Sequence, residues 1–458
     1  MASSVHGSNK DLHVQVVSRR LVMASDASIE PHVLTVSNLD LLPQTMQVSM
    51  FCIYPNPPAA DFAVVVAAFE AGLPSLLNHF FPFAGRIATC PSSGLPKVRC
   101  CNQGAEFVVG AAGVALAALD YADVSASLGR IQLPYGADVA LSVQVVSFAC
   151  GGFTVAWSMN HLLGDGCALS SLVSAWSELA VSRALSRGSR PNHHRAVFRP
   201  RAALDEAFTP VRADRQVNVL TWEQNAVGRL YYIEASGVER LREAASRNGR
   251  RATRVQAVSA YLWKALAGPS LPDGMLRAAM RNYIGNVTTF VVREERVDEV
   301  VRAPLSDVAA MVSEAIAAPA YDEHFQELVD WVEEHKIERY VETAGIGLGS
   351  PAMTVSSFAS FRTDTDFGFG PAAMAIPLGT SEARLRVGFM HIAARPGGDG
   401  SLIATAFLWP WLAAALESDE PRVFGPVTAE YLACLLRKRK FGTVASKLWD
   451  AVPLTFNL

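Results

Sequence analysis

The chain has 458 residues, half of them hydrophobic, and a formal net charge of -3 at pH 7. This length is enough for two domains with substantial cores, and the charge argues against binding nucleic acid or an anionic membrane through bulk electrostatics. The seven cysteines form no C-x-x-C pair, and their odd number does not suit a secreted disulfide framework. We therefore expect reduced thiols in a cytoplasmic protein and no zinc site.

No targeting or membrane segment is predicted. The N-terminus lacks the basic start and apolar core of a secretory signal. The longest apolar runs, 107–119 and 402–416, are shorter than the roughly 18 residues that a membrane-spanning helix needs.

In the first half, the segment 36–42 ends at Pro43 and is predicted to turn there. Polar residues in such a segment often close the turn. Further along, the stretches 141–149 and 153–160 alternate apolar and polar residues around Gly151 and Gly152, which predicts a hairpin.

The segment His161-Leu-Leu-Gly-Asp165-Gly166 follows the second strand of this hairpin and precedes a helical pattern at 168–180. A histidine at such a junction can be held rigidly beside a cleft, as a general base must be, and an ordinary imidazole is mostly unprotonated at neutral pH. Packing in the core is the alternative for a single histidine. Asp165 either orients the imidazole or caps the helix, and residue preferences at helix starts favour the cap.

The second half begins after a polar, proline-bearing stretch at 191–224, which is the best candidate for an interdomain crossover. His193 and His194 in this stretch lack a third ligand for a metal. Thr253 is predicted to cap a helix that runs to about residue 267, and the arginines beside it, Arg250, Arg251 and Arg254, would suit an anion or simply face solvent. A strand at 287–292, helices at 305–317 and 323–342, and a strand at 354–358 are predicted to follow.

Asp366-Phe-Gly-Phe-Gly370 is predicted to form a tight turn with buried rings, because two glycines alternate with aromatic residues and Pro371 follows. The kinase Asp-Phe-Gly interpretation fails, since no His-Arg-Asp motif or strand lysine accompanies it.

His-x-x-x-Asp-Gly after an apolar strand, followed much later by Asp-Phe-Gly-Phe-Gly, resembles the plant BAHD acyl-CoA-dependent acyltransferases. The stretches 81–86, 144–152, 253–263 and 283–286 match as well, in the same order. The resemblance implies an α/β fold of two chloramphenicol-acetyltransferase-like domains with mixed sheets and an interdomain channel. The expected parts are a lobe at 1–190, the crossover at 191–224 and a second lobe at 225–458, in a monomer without metal or bound cofactor.

The resemblance also assigns roles to residues. It makes His161 the general base and gives structural roles to Asp165, Gly166, Asp366, Gly368 and Gly370, with Arg277 of the second lobe as the candidate partner of Asp165. Ser37 and Asp40 would border the acceptor pocket, unless they only close a turn. Ser356 and Phe358 would line the active site where many relatives carry a tryptophan, and Arg250, Arg251, Thr253 and Arg254 would hold the phosphates of coenzyme A.

The implied reaction moves an acyl group, with hydroxycinnamoyl favoured, from acyl-CoA to a hydroxyl or amine of a specialised metabolite. It passes through a ternary complex without an acyl-enzyme. A non-catalytic partner in lipid elongation is the alternative that phenylalanine at 358 and 369 keeps open. A carrier-dependent condensation domain is disfavoured, because Asn160 stands where that class carries its first histidine.

Overall fold

The computed structural model describes residues 12–42, 47–55, 61–201, 227–247, 249–264, 282–289, 291, 293, 295–319, 321–337, 353–361, 363–379, 388–418, 422–432 and 435. Its strands are β1 Val14–Val22, β2 His32–Leu34, β3 Gln47–Tyr54, β4 Arg86–Thr89, β5 Pro96–Cys100, β6 Ala105–Ala112, β7 Leu141–Phe148, β8 Phe153–Asn160, β9 Val227–Ile233, β10 Thr354–Phe358, β11 Met374–Gly379, β12 Phe389–Ala394, β13 Leu402–Leu408 and β14 Gly425–Pro426. Its helices are α1 Asn38–Leu41, α2 Phe62–His79, α3 Leu128–Ile131, α4 Gly166–Ser182, α5 Ala235–Ala245, α6 Arg254–Lys264, α7 Val297–Arg302, α8 Leu305–Ala317, α9 Tyr321–His335 and α10 Pro410–Ser418. Short 3-10 turns occupy Phe81–Ala84, Leu116–Ala118, His161–Leu163, Arg187–Ser189 and Arg195–Val197.

The first sheet has the strand order β1-β6-β7-β8-β3-β11, with one parallel pair, β6 and β7. Strands β7 and β8 form the predicted antiparallel hairpin. Alternate residues of β8, among them Val155, Trp157 and Met159, pack into one buried cluster with residues of α2 and α4 such as Phe69 and Trp176. Burying such side chains contributes about 1.5–3 kcal/mol each, so the strand that leads to His161 is firmly held.

The second sheet has the order β10-β12-β13-β9-β14, and β10 pairs with β12 in parallel. One of its faces packs on α5, α6, α8 and α10 through residues such as Val238, Val258, Val308 and Leu412. A small third sheet, β2-β5-β4, lies beside the first lobe's core.

Strand β11 ties the two halves together. It belongs to the second half by sequence, yet it pairs with β3 at the edge of the first sheet. Its Met374 and Ile376 share a buried cluster with Phe51 of β3 and with Leu230 and Ile403 of the second sheet. The inner faces of both sheets are therefore packed against each other. The division of the chain at 191–224 stays a prediction, since residues 202–226 lie outside the described part.

The predicted strand at 287–292 is wrong for the residues that the structure describes there. Residues 287–289 and 291 lie outside any strand. The backbone N–H groups of Asn286 and Val287 donate to the carboxylates of Asp40 and Asp165. Because side chains satisfy these donors, the segment needs no strand partner at that point.

Among the described helices, α2 is long and apolar enough by length and composition to cross a membrane. Val65, Phe69, Leu73, Leu76 and Leu77 of this helix are nonetheless fully buried in the core of the first lobe. A core helix passes the same test of length and hydropathy.

Candidate active site

His161 stands where β8 ends. Asn160 closes the strand, and its side-chain oxygen accepts a hydrogen bond from the Leu162 N–H at 3.0 Å. The short 3-10 turn His161–Leu163 and the extended Gly164 follow, and α4 begins at Gly166. The half-buried imidazole is thus fixed between a fully buried strand and a long helix.

Asn286 sets the tautomer of His161. The Nδ2 group of Asn286 lies 2.8 Å from the His161 carbonyl oxygen and 3.0 Å from Asp40 Oδ1, and both of these atoms can only accept. The amide is therefore oriented with Oδ1 toward His161 Nδ1, at 2.8 Å. Since this oxygen accepts, Nδ1 carries the hydrogen and Nε2 carries the lone pair. This is the tautomer that a general base acting through Nε2 requires.

The Asp40 carboxylate holds Asn286 in place through hydrogen bonds. Its side chain is fully buried, and its Oδ1 accepts from both the backbone N–H and the side-chain amide of Asn286. Its Oδ2 pairs with Arg195 Nε at 2.8 Å and accepts from the Ser37 N–H at 2.8 Å. Two charges buried together in this way cost little as a pair, but removing one of them typically costs about 3–5 kcal/mol.

Arg195 connects the crossover to the motif. Its guanidinium donates to the Leu163 carbonyl oxygen at 3.0 Å and to the Ile284 carbonyl oxygen, besides its pair with Asp40. One buried arginine therefore binds three separate stretches of chain around His161.

Ser37 and Asp40 form a capping box at the start of α1, in which each side chain bonds to the other residue's backbone N–H. Both side chains are buried, at 5% and 0% exposure. The turn-closing alternative describes this arrangement, and the assignment of Asp40 to the acceptor pocket is corrected, because a fully buried and fully paired carboxylate presents no oxygen to an acceptor.

Asp165 caps α4. Its Oδ1 accepts from the Cys167 and Ala168 N–H groups at 2.9 and 3.0 Å, and its Oδ2 accepts from the Val287 N–H at 3.1 Å. Burial raises the pKa of this carboxyl, whereas the N–H donors of Ala168 and Val287 lower it. The three N–H donors and the helix N-terminus act against the effect of burial. Its predicted partner Arg277 lies outside the described residues.

Two aromatic rings pack against the motif at Gly166. A Cβ atom built on Gly166 would overlap the Phe358 ring and approach the Phe361 ring to 3.0 Å. Phe358 is on β10 of the second sheet and stacks edge-on with Phe361, their centroids 5.1 Å apart. Gly166 thus allows β10 of the second sheet to pack directly on the turn that follows His161. Ser356, also predicted at the site, lies two residues before Phe358 on the same face of β10.

The Asp366–Gly370 segment is a tight turn. Asp366 Oδ1 accepts from the N–H groups of Gly368 and Gly370, both at 2.8 Å. These glycines have φ values of 98° and 84°, which other residues adopt only with strain. The rings of Phe367 and Phe369 are buried against Phe69, Trp157, Trp176, Tyr54 and Phe153. Ser177 of α4 exchanges hydrogen bonds with the Asp366 backbone, so the turn braces the helix that follows His161.

The predicted coenzyme site lies at the start of α6. Thr253 and Gln256 cap this helix reciprocally, at 3.1 and 2.9 Å. Arg250 and Arg251 are exposed and Arg254 is half-buried, and Arg251 pairs with Glu239. Contact with coenzyme A stays a prediction for these residues. Within the described part of the chain, no group of three or more His, Cys, Asp and Glu is placed to hold a metal ion.

No role at the site was assigned to Asn286 or Arg195 from the sequence. Asn286 ends one of the matched stretches, 283–286, so a signal for it exists. Arg195 lies among several arginines in a polar stretch, and only the folded chain separates it from its neighbours.

Three comparisons place the chain among known proteins. A family model described as the Transferase family matches residues 12–271 and 275–410. Omega-hydroxypalmitate O-feruloyl transferase of Arabidopsis thaliana is 24% identical over 437 residues, which cover 85% of this chain and 89% of the relative. Putrescine hydroxycinnamoyltransferase of Oryza sativa is 25% identical over 421 residues, which cover 80% and 90%.

Two solved structures share the fold. The crystal structure of vinorine synthase has a TM-score of 0.63 at 20% identity and covers 88% of this chain and 96% of its own. F. graminearum TRI101 complexed with coenzyme A and T-2 mycotoxin has a TM-score of 0.70 at 15% identity and covers 86% and 99%. The predicted α/β fold class is confirmed.

We expect Asn286→Ala to lower kcat on the order of 100-fold, because the imidazole loses the acceptor that selects its tautomer. The direct measurement is the imidazole ¹⁵N spectrum, with His161→Gln identifying the signal. The Nδ1–H form should dominate in the unmodified protein and lose that dominance in the variant. Asn282→Ala, four residues earlier, removes a hydrogen bond to Gly188 and serves as the control. Unchanged ¹⁵N shifts in the Asn286 variant would disprove this role.

Asp165→Asn should reduce the free energy of unfolding by about 1–3 kcal/mol, because the amide keeps the helix cap but points a donor at the buried Val287 N–H. Denaturant unfolding and turnover are measured together. Asp61→Asn, at the exposed N-cap of α2, is the matched control and should be nearly neutral. A folded Asp165 variant of unchanged stability that lacks turnover would instead indicate a direct catalytic role.

Gly166→Ala should destabilise the protein by about 1–3 kcal/mol, because the added methyl overlaps the Phe358 ring. Combining it with Phe358→Leu should recover part of that loss, with a coupling energy above about 0.5 kcal/mol. Chemical unfolding of the single and double variants measures this. Gly188→Ala, whose Cβ would have its nearest neighbour at 3.9 Å, is the control. If the changes in unfolding free energy of the two single variants simply add up in the double variant, the effect of Gly166→Ala does not come from contact with Phe358.

Proposed function

The chain belongs to the Transferase family, the BAHD acyltransferases of chloramphenicol-acetyltransferase-like α/β fold, and on this premise we propose that it transfers a hydroxycinnamoyl group from acyl-CoA to a hydroxyl or amine acceptor. It is an acyltransferase. The observation that carries the proposed mechanism is the hydrogen bond from His161 Nδ1 to Asn286 Oδ1.

The donor is proposed from what the relatives have in common. Their names specify feruloyl, hydroxycinnamoyl, caffeoyl and coumaroyl groups, all of which are cinnamoyl groups with ring hydroxyls. The same names specify hydroxyl acceptors, such as omega-hydroxypalmitate and a fatty alcohol, and amine acceptors, such as putrescine and spermidine. These four relatives therefore share a donor class, whereas their acceptor class varies.

In the proposed reaction, His161 Nε2 removes the proton from the acceptor hydroxyl or amine while the heteroatom attacks the thioester carbonyl. A tetrahedral oxyanion forms, the carbon–sulfur bond breaks, and the proton passes to the leaving coenzyme A thiolate. No acyl-enzyme is formed, and acyl-CoA serves as a co-substrate with no other cofactor.

The phosphates of coenzyme A are proposed to bind at the start of α6. The free N–H groups of the first turn and the arginines Arg250, Arg251 and Arg254 offer positive charge to an anion. The exposure of Arg250 and Arg251 supports access for a ligand.

A cytoplasmic location and a monomeric state belong to the same proposal. The cysteines that the structure describes are free, as they would be in a reducing compartment: Cys52, Cys90, Cys100, Cys101, Cys150 and Cys167.

His161→Ala should lower kcat by about 100- to 10,000-fold, the usual contribution of a general base. Release of coenzyme A thiol from 4-coumaroyl-CoA, with a panel of alcohols and amines as acceptors, measures this directly. His13→Ala, at an exposed histidine, is the control and should keep full activity. Full turnover in the His161 variant, or no thioester consumption by the unmodified protein with any acyl-CoA, would contradict the proposal.

A further inference from the structure

Three polar side chains lie side by side on adjacent strands of the second sheet. Ser356 of β10 is in register with His391 of β12, and His391 is directly opposite Thr405 of β13. Side chains at paired positions of neighbouring strands stand on the same face, about 4.5–5.5 Å apart. These residues therefore form one short row across the sheet, here called the polar row.

The polar row faces the first lobe. The residues adjacent to it in sequence, Val355, Met390 and Ala404, are buried in the cluster that packs on the helices of the second lobe. Because successive side chains of a strand point to opposite faces, the row points away from those helices. Phe358, on the same face of β10, lies against Gly166 of the catalytic motif.

Aromatic rings flank His391 on both sides. The Phe358 centroid lies 5.6 Å from the imidazole centroid and the Phe389 centroid 4.6 Å from it. All three side chains are half-buried at the surface of the sheet, and both ring nitrogens of His391 are buried beneath the flanking rings. A flat aromatic ligand would find ring faces and a hydrogen-bonding group together on this surface.

Thr405 adds a second polar group behind His391. Its hydroxyl is fully buried and has no hydrogen-bond partner among the described residues. A buried hydroxyl without a partner is destabilising, and the His391 imidazole is the polar side chain directly opposite it. The pairing places Thr405 where it can orient the imidazole.

We propose that His391 is a specificity residue for the acyl donor, which hydrogen-bonds the ring hydroxyl of a hydroxycinnamoyl group lying on Phe358 and Phe389. This inference rests on the proposed function, since it concerns the donor of that reaction. The inference goes beyond the proposed function because it assigns recognition of the ring hydroxyl to one side chain.

The contacts that lead from His161 to His391 indicate that His391 meets the far end of the acyl group and not its carbonyl. The reacting carbonyl must lie beside His161, and the ring of Phe358 touches the motif at Gly166. His391 lies one ring further away, beyond Phe358. The ring hydroxyl of a phenylpropenoyl group is likewise separated from its carbonyl by the length of the chain and the ring.

Binding measurements separate this inference from the catalytic proposal. Dissociation constants for 4-coumaroyl-CoA and cinnamoyl-CoA, which differ by one ring hydroxyl, are measured on the full chain carrying His161→Ala, so that no turnover occurs. We expect roughly tenfold tighter binding of 4-coumaroyl-CoA, as for one hydrogen bond. His391→Leu should bring the ratio close to one, whereas His391→Gln, which keeps a hydrogen-bonding group, should retain part of it.

Ser357→Ala, on the opposite face of β10, is the control for general disturbance of the sheet and should leave the ratio unchanged. The inference is overturned if the starting protein shows no preference, if His391→Leu retains it at an unchanged melting temperature, or if Ser357→Ala also abolishes it. It is equally overturned if His391→Leu alters only acceptor affinity. If the proposed function itself is wrong, the turnover assay will show no reaction of the unmodified protein with any acyl-CoA.

Discussion

The amide of Asn286 is the interaction on which the site depends. This amide contacts the His161 imidazole, the His161 backbone and the Asp40 carboxylate at once. Because its nitrogen faces two acceptors, its oxygen has a single orientation, and that orientation decides which imidazole nitrogen can accept a proton. The chemistry of the site thus follows from the hydrogen-bonding capacity of a neutral side chain.

The site holds together only when distant parts of the chain meet. Asp40 lies on α1, Arg195 begins the 3-10 turn Arg195–Val197, and Asn286 and Val287 come from the second half. Each supplies a partner for a buried polar group that would otherwise be costly. Strand β11 makes the same connection through the sheet, since it pairs with β3. The contacts between the two halves and the position of the His161 turn therefore depend on the same residues, and a variant that disturbs this network is expected to affect both stability and turnover.

Local features of the chain were predictable, and long-range ones were not. The hairpin before His161, the strand at 354–358 and the Thr253 cap depend on neighbours in sequence, so periodicity and residue preference suffice. The strand expected at 287–292 fails for the opposite reason: its apolar pattern is that of a strand, but its N–H groups find carboxylates more than 120 residues away. Asp40 and Arg195 are likewise ordinary surface residue types, and only the fold shows them buried as a pair.

Phenylalanine at 358 and 369 is compatible with catalysis for two different reasons. Phe369 is a packing residue: its ring stacks among Tyr54, Phe69 and Phe153, and this core position presents no reacting group. Phe358 does lie against the motif, so there the loss of an indole N–H removes a possible oxyanion donor. The polar row lies on the same face of the sheet, with hydroxyl and imidazole groups at Ser356 and His391. Phenylalanine at both positions therefore leaves in place the His161 imidazole, held by Asn286, and the polar groups beside it, which are the groups that the proposed reaction requires.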